Sequence, residues 1–390
     1  MSNNKPFDII IYGATGFTGR LVAEYLVNTY ADSDLKWAMA GRSAEKLASV
    51  RDEIGAPKDT PLVVADADNL ESLQEMVSST KVVLTTVGPY QLYGSELVKL
   101  CAESGTDYVD LCGEPAWMRH MIDANLEAAQ KSGARIVFSC GFDSIPFDLG
   151  VLFLQQHAQQ KFGRTLPRVK GRVRAMKGTF SGGTAASLKA TMVAARKDPE
   201  VMKLLLNPFS LTPGQYGAEQ PHGNKPYFEE EFNSWVAPFI MAAINTRNIH
   251  RSNMLLGNLY GSDFVYDEMM FTGPGEKGEA IANAVASDKS LGGDGGPKPG
   301  EGPSKEERET GFYDVLFSGS DDKGNSLAVS VKGDRDPGYG STSKMIAESA
   351  ICLAMGESDK EGGIWTSAPA LGTKLIDRLT KNAGLIFTVE

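Results

Sequence analysis

Apolar residues run through this chain in two rhythms. Ile9 to Tyr12 is an unbroken apolar run, the pattern of a strand buried on both faces. Arg20 to Tyr30 then places apolar residues at helical spacing. The alternation recurs. Leu35–Ala40, Pro61–Ala65, Lys81–Thr86, Asp107–Asp110 and Ala134–Ser139 read as strands. Ala44–Glu53, Asn69–Val77, Gly94–Glu103, Pro115–Lys131 and a segment from about Pro146 to Lys161 read as helices. Strands interleaved with helices of this length predict an α/β fold with a doubly wound parallel sheet. Ligands of such sheets lie in the crevice at the carboxyl ends of the strands.

From Pro167 the rhythm changes. Val169–Met176 alternates basic and apolar residues, the chemistry of a half-buried strand. G-T-F-S-G-G-T, residues 178–184, opens a long helical stretch to Leu206. Those glycines fit either close approach to a ligand or an interdomain hinge. Residues 207–230 form a Pro/Gly/aromatic loop. Trp235–Ile244 is apolar and runs into the polar N-T-R-N-I-H-R-S, residues 245–252. That pair reads as a core helix with a polar end, or as a pocket lining for a lipid-like substrate. Phe264–Thr272, Phe312–Gly319 and Ser326–Gly333 look like strands of an antiparallel sheet. Between them, Ser287–Thr310 is rich in Gly, Pro and charge, and is expected to be a mobile surface loop or lid. Lys344–Met355 and Thr373–Thr380 read as helices, and Gly384–Glu390 ends in a short strand. This order suggests a sheet domain inserted between a nucleotide domain and its closing helices.

At 390 residues the chain has room for two cores. Its net charge of −10 argues against nucleic acid or an anionic membrane surface as the main partner. Four cysteines, at 101, 112, 140 and 352, lack metal-ligand spacing, so reduced thiols and no metal are expected. A signal peptide has no room before a strand near Phe7, and no apolar run would span a bilayer, so the cytoplasm is the expected setting. A peripheral membrane contact stays open.

The candidate chemistry gathers at the strand ends. After the first strand comes Gly13-Ala14-Thr15-Gly16-Phe17-Thr18-Gly19, spaced G-x-x-G-x-x-G, one residue longer than the usual dinucleotide fingerprint. Gly13 turns the chain, Gly16 lets backbone N–H groups approach a phosphate, and Gly19 packs helix on strand. The helix start then offers N–H groups and a positive dipole end to a pyrophosphate. After the second strand stand Arg42 and Ser43, with no carboxylate until Glu45. Arginine grips a 2′-phosphate as a planar fork, so NADP(H) is the expected cofactor. The alternative is a solvated Arg42 and a Ser43 that only caps a helix. Asp66 closes the third strand, either at the adenine or as a loop carboxylate. Val87, Gly88, Pro89 and Tyr90 follow the fourth strand, where the nicotinamide half would lie. Tyr90 and Tyr93 either face the substrate or pack. Asp110, Cys112 and Glu114 follow the fifth strand, and Asp143 and Ser144 the sixth. Asp143 and Ser144 read equally as helix caps and as catalytic groups.

Taken together, G-A-T-G-F-T-G (13–19), A-G-R-S (40–43), V-G-P-Y (87–90), Y-V-D-L-C-G-E (108–114), G-F-D-S-I-P-F-D (141–148), G-T-F-S-G-G-T (178–184) and G-G-I-W-T-S-A-P-A-L-G (362–372) resemble the saccharopine dehydrogenase-like oxidoreductases, most closely the bacterial branch of trans-acting enoyl reductases. The resemblance implies a Rossmann nucleotide domain (1–162), an inserted α+β domain on a mostly antiparallel sheet (163–338), and a returning C-terminal segment (339–390). It implies hydride transfer from NADPH to an electrophilic carbon of a hydrophobic, lipid- or polyketide-like small molecule. A carrier protein and a homodimer are compatible with it. Candidate proton or hydrogen-bond donors are Tyr90, Tyr93, Glu114, Asp143 and Ser144. Where that family is expected to have threonine, this chain has Cys112. The alternatives are a saccharopine-type imine and amino-acid dehydrogenase, and a non-catalytic NADP(H)-binding protein.

Overall fold

The computed structural model describes residues 5–179, 182–288 and 301–390. Its strands are Phe7–Tyr12 (β1), Trp37–Gly41 (β2), Leu62–Val64 (β3), Thr80–Thr85 (β4), Asp107–Val109 (β5), Arg135–Val137 (β6), Arg168–Lys177 (β7), Tyr227–Glu229 (β8), Ser234–Pro238 (β9), Val265–Gly273 (β10), Phe312–Ser320 (β11), Ser326–Gly333 (β12), Gly363–Trp365 (β13) and Leu385–Val389 (β14). They form two sheets.

The first sheet has the order β13-β6-β5-β4-β1-β2-β3, and every pairing is parallel. β1 lies inside it, with Ile9 opposite Trp37 on one side and Val82 on the other. Its apolar run divides by parity. Ile9 and Ile11 pack with Val22 and Leu26 of helix Phe17–Tyr30 and Met345 of helix Thr342–Ala354. Ile10 and Tyr12 pack with Leu73, Leu97 and Met118 on the opposite face. Each such side chain, removed from water, contributes about 1.5–3 kcal/mol. Helices on both faces are what make the strand apolar throughout.

The second sheet runs β14-β12-β11-β7-β10-β9-β8. It is antiparallel except that β7 and β10 run parallel. The C-terminal segment serves both sheets. Its β13 extends the first and its β14 pairs with β12 in the second.

Four expectations need correcting. Trp235–Ile244 is not one helix. Residues Ser234–Pro238 are β9, and the helix that follows, Ala242–Leu255, carries the polar run inside the protein. That run is buried because its polar atoms join the two halves. Asn245 donates to Glu268 of the second sheet (2.9 Å), and Asn248 donates to Ser144 beyond the first (2.8 Å). The helical stretch to Leu206 breaks where Asp198 caps a new helix, Pro199–Leu206, by accepting from the Glu200 N–H (2.9 Å). Proline has no N–H to continue the preceding helix. The 287–310 stretch is not all loop. Lys305–Thr310 is helical behind a reciprocal Ser304–Glu307 capping box, whose N3 glutamate the high charge had hidden. Residues 289–300, like Phe180 and Ser181 of the second glycine motif, lie outside the described residues. Finally, β13 sits in G-G-I-W, where three residues are too few to show a period.

Candidate active site

The glycine loop holds the shape its spacing predicts. Gly13 has φ +93°, and a Cβ there would stand 2.8 Å from both Thr86 Oγ1 and Val87 Cγ2. Gly16 donates to the Gly13 carbonyl (2.9 Å) and occupies the N-cap of helix Phe17–Tyr30. No side chain caps that helix, and its first turn holds no carboxylate. Its leading N–H groups therefore remain available to an anion. Gly19 lies against the Gly13 peptide so closely that a Cβ would sit 2.7 Å from the Gly13 carbonyl carbon. Ala14 is buried beneath the loop, and Thr15 packs near Gly41. Thr18 is half-buried. The Phe17 ring is engaged away from the loop glycines. It lies edge-on to Tyr339 at 5.1 Å, with the Arg308 guanidinium 5.6 Å from its centroid.

At the next strand ends, Tyr12, Arg42 and Asp66 share one neighbourhood. Burial pushes the Tyr12 phenol up to about 12, the Asp66 charge adds to that, and Arg42 opposes it. Arg42 is exposed beyond β2. Ser43 caps helix Ala44–Glu53 by accepting from the Lys46 N–H (3.2 Å), which leaves its hydroxyl hydrogen to donate. Asp66 accepts from the Asp68 N–H (3.1 Å), so one oxygen holds its own turn. An uncapped helix start, an exposed arginine after β2 and glycines whose Cβ positions are blocked fit a dinucleotide bearing a 2′-phosphate.

Beyond β4 the loop 87–89 leads into a short helix, Tyr90–Tyr93. Glu114 holds that helix. One of its oxygens accepts from the Tyr90 N–H (2.9 Å), and the other from the Gln91 N–H and side-chain amide (2.9 Å each). This corrects the expectation that Glu114 supplies a proton, because donors already occupy both oxygens. Tyr90 is corrected likewise. Its ring is 5% exposed and packs on Trp117, while its hydroxyl donates to the Thr85 carbonyl and accepts from the Leu111 N–H (3.0 Å). Tyr93 is 44% exposed at the rim. Asp110 and Cys112 also turn inward. Asp110 accepts from the Cys112 and Ser139 N–H groups and from the Tyr108 hydroxyl, tying the ends of β5 and β6 together. Burial pushes the Cys112 thiol up, so it is no nucleophile. Glu114→Gln should therefore loosen the 87–91 loop, since either orientation of the amide turns hydrogens toward at least one N–H donor. The expected loss is about 1–3 kcal/mol of unfolding free energy. Denaturant unfolding checks it, and an unchanged midpoint contradicts the holding role.

The floor of the crevice lies after β6. Asp143 is partly open, but its Oδ1 is buried without a partner, and burial pushes the carboxyl up to about 7. Ser144 precedes helix Ile145–Phe162 and accepts from Asn248. The bond from Asn248 uses its oxygen as acceptor, which leaves the hydroxyl hydrogen to donate. Opposite them stands Glu268 of β10, which sequence reasoning missed. Two adjacent carboxylates, Asp267 and Glu268, between Tyr266 and Met269 were the available signal, since in a strand they point to opposite faces. Glycine at 171 directly across the ladder makes the room, since a Cβ there would meet Glu268 Cγ at 3.1 Å. Helix Gly182–Lys197 passes over the 88–91 loop, with Ser187 Oγ 3.8 Å from where a Gly88 Cβ would stand and Thr191 accepting from Gln91 (3.2 Å). The structure thus gathers Gly88, Asp143 and Ser144 around the strand ends, and leaves Tyr90 and Glu114 behind them.

A parallel sheet with a free helix start at its centre, an arginine at the adenosine end and a second sheet closing the opposite end defines a dinucleotide-dependent oxidoreductase. Comparison with known proteins takes the assignment further. The saccharopine dehydrogenase NADP-binding domain family matches residues 9–137. A putative trans-acting enoyl reductase of Mycobacterium tuberculosis is 39% identical over 96% of both chains. A trans-acting enoyl reductase of Mycobacterium ulcerans is 36% identical over 99% of this chain and 98% of its own. Saccharopine dehydrogenase (L-Glu forming) from Saccharomyces cerevisiae shares the fold at TM-score 0.56, with 11% identity over 98% of this chain and 99% of that one. The chain belongs to the saccharopine dehydrogenase-like oxidoreductase family, and its cofactor is NADP(H). Among the described residues no helix is long and apolar enough to cross a membrane.

Proposed function

We propose that this chain uses NADPH to reduce the carbon–carbon double bond of an α,β-unsaturated acyl substrate. The observation that carries this reading is the character of the crevice mouth. Its rim is apolar and open, with Leu92, Tyr93, Met192 and Val193 exposed on the two segments that Gln91 and Thr191 join. Such a rim suits an acyl chain. A dicarboxylic amino acid would need a cationic clamp. The neighbouring guanidinium pair is buried and turned to backbone carbonyls: Arg251 donates to the Leu211 and Ile364 carbonyls (2.6 Å each), and Arg247 to the Ala243 and Leu205 carbonyls. The relatives' names point the same way.

Bound NADPH would supply a hydride from its nicotinamide C4. The leading N–H groups of helix Phe17–Tyr30 hold the diphosphate, Arg42 and Ser43 hold the 2′-phosphate, and Asp66 faces the adenine. Val87, Gly88 and Pro89 form the wall behind the nicotinamide. Ser144 aims its hydroxyl at the substrate carbonyl, whose oxygen gains charge as the hydride arrives. Asp143 holds the proton that completes the reduction. In this reading residues 1–162 are the nucleotide domain, 163–338 supply the substrate face, and 339–390 return to close the core. Lipid- or polyketide-like acyl chains presented by a carrier protein in the cytoplasm belong to the same proposal. The test is NADPH oxidation with 2-enoyl thioesters of increasing chain length. The expected result is kcat/KM rising with chain length and a saturated product by mass. Turnover of saccharopine with none of the thioesters would refute it.

A further inference from the structure

We propose that Glu268 and Asp143 form a two-carboxyl unit holding one transferable proton at the substrate end of the crevice, with Asp143 delivering it and Glu268 acting as its positioning residue. The inference rests on the enoyl reductase reading and adds a group from the second sheet to that reaction.

Four observations meet here. First, Glu268 is 1% exposed and has no ion pair among the described residues. Its oxygens meet neutral groups, the Tyr266 hydroxyl (2.9 Å) and the Asn245 amide (2.9 Å), and unlike the N–H donors on Glu114 the hydroxyl can reverse to accept from a protonated Glu268. Second, Arg172 of the adjoining strand β7 is taken by Glu229 (2.7 Å) and Asp267 (3.0 Å). Third, Asp143 is partly exposed, while its Oδ1 is buried without a hydrogen-bond partner among the described residues. Fourth, the carbonyl oxygens of Asn245 and Asn248 are also buried without partners among the described residues, while their amide groups donate to Glu268 and Ser144. Three buried acceptors with no donor make a site short of hydrogens. A carboxyl that keeps its proton supplies one, and two like charges in so dry a place do not both ionise.

The electrostatics agree with that geometry. Burial first, and the Asp143 charge after it, push Glu268 up to about 8. Burial alone pushes Asp143 up to about 7. The groups facing the pair from each element are Tyr266 and Asp267 on β10, Asn245 and Asn248 on the helix, and Ser144 beside Asp143. Asp267 opposes ionisation of Glu268 as well. The two protons therefore leave in separate steps that belong to the pair.

Saturating one enoyl bond consumes one hydride and one proton. The hydride pair forms the new C–H bond at the β-carbon, and the π electrons move to the carbonyl oxygen. The O–H bond of Asp143 then breaks and its proton bonds to the α-carbon. Solvent at the open side of Asp143 then restores its proton.

The experiment compares the wild type with Asp143→Asn, Glu268→Gln and Glu268→Asp, using NADPH and an enoyl thioester. All should bind NADPH within about twofold of wild type, because neither group lies at the diphosphate or the ribose. Asp143→Asn should lower kcat by about a hundredfold or more. Glu268→Gln should move the alkaline limb of kcat about one pH unit toward acid, since the second proton is no longer held. Glu268→Asp should restore the wild-type limb, which a merely structural role would not do. Activity above about a third of wild type in Asp143→Asn, or an unmoved limb in Glu268→Gln, overturns the proposal. Infrared difference spectra of the enzyme without substrate separate this from the reading it rests on. The protonated-carboxyl band should fade in one step fewer in Glu268→Gln than in wild type between about pH 6 and about pH 9. Identical titrations overturn the pair even if the enoyl reaction stands, and a lost step upholds it even if thioesters are not the substrates.

Discussion

Gly19→Ala is expected to weaken NADPH binding about a hundredfold and to lower the thermal midpoint. The cause is local. The added methyl would meet the Gly13 carbonyl carbon at 2.7 Å and Thr86 Oγ1 at 2.9 Å. The first of these is backbone, which cannot swing aside. Helix Phe17–Tyr30 would have to lift from β1, and overpacking of this kind costs about 1–3 kcal/mol in stability. The same lift moves the helix start off the site where its N–H groups converge, and a charge-assisted hydrogen bond to an anion is worth about 1.5–3 kcal/mol. Gly16→Ala makes the comparison specific. A Cβ at 16 meets only the Gly13 carbonyl oxygen, at 3.2 Å, so the helix should stay docked. It should bind NADPH poorly with a nearly normal thermal midpoint, because the methyl occupies phosphate space instead. Calorimetric titration beside thermal unfolding separates the two. Normal binding in Gly19→Ala would contradict the assigned loop.

Arg42→Ala is expected to weaken NADPH binding by about ten- to a hundredfold, the factor for losing about 1.5–3 kcal/mol of charge-assisted contact. NADH binding should change by less than about twofold, because that cofactor has no 2′-phosphate for the guanidinium to hold. The asymmetry is the point. Arg42 is exposed and holds no ion pair among the described residues, so its removal should leave the fold intact. Its charge reaches Tyr12, which places it over the ends of β1 and β2. Equal weakening of both cofactors would show that Arg42 shapes the loop rather than reading the phosphate.

Much of the first sheet was legible because a strand buried on both faces and a helix at 3.6 spacing look different in sequence. The glycine loop was legible because three positions each need the absence of a Cβ. The second sheet was read less well. Its one parallel pair, β7 with β10, joins segments far apart in the chain, and no local pattern records a partner or its direction. The buried helix Ala242–Leu255 misled for a related reason. N-T-R-N-I-H-R-S looks solvated, yet its partners are Glu268, Ser144, Ile364 and Leu211, supplied by four other parts of the chain. Glu114 shows the limit at the site itself. Its place in Y-V-D-L-C-G-E at a strand end suggested an acid, and only the geometry shows three donors already on its oxygens. A residue's place at a crevice mouth follows from topology, whereas its direction follows from packing.

The most direct measurement is a single-turnover mixing of the NADPH-loaded protein with a long-chain 2-enoyl thioester, following the nicotinamide signal and the mass of the product. The account predicts one equivalent of NADPH consumed for each double bond saturated, with hydride from C4 appearing at the β-carbon. NADPH that binds tightly yet stays reduced against every chain length would contradict it.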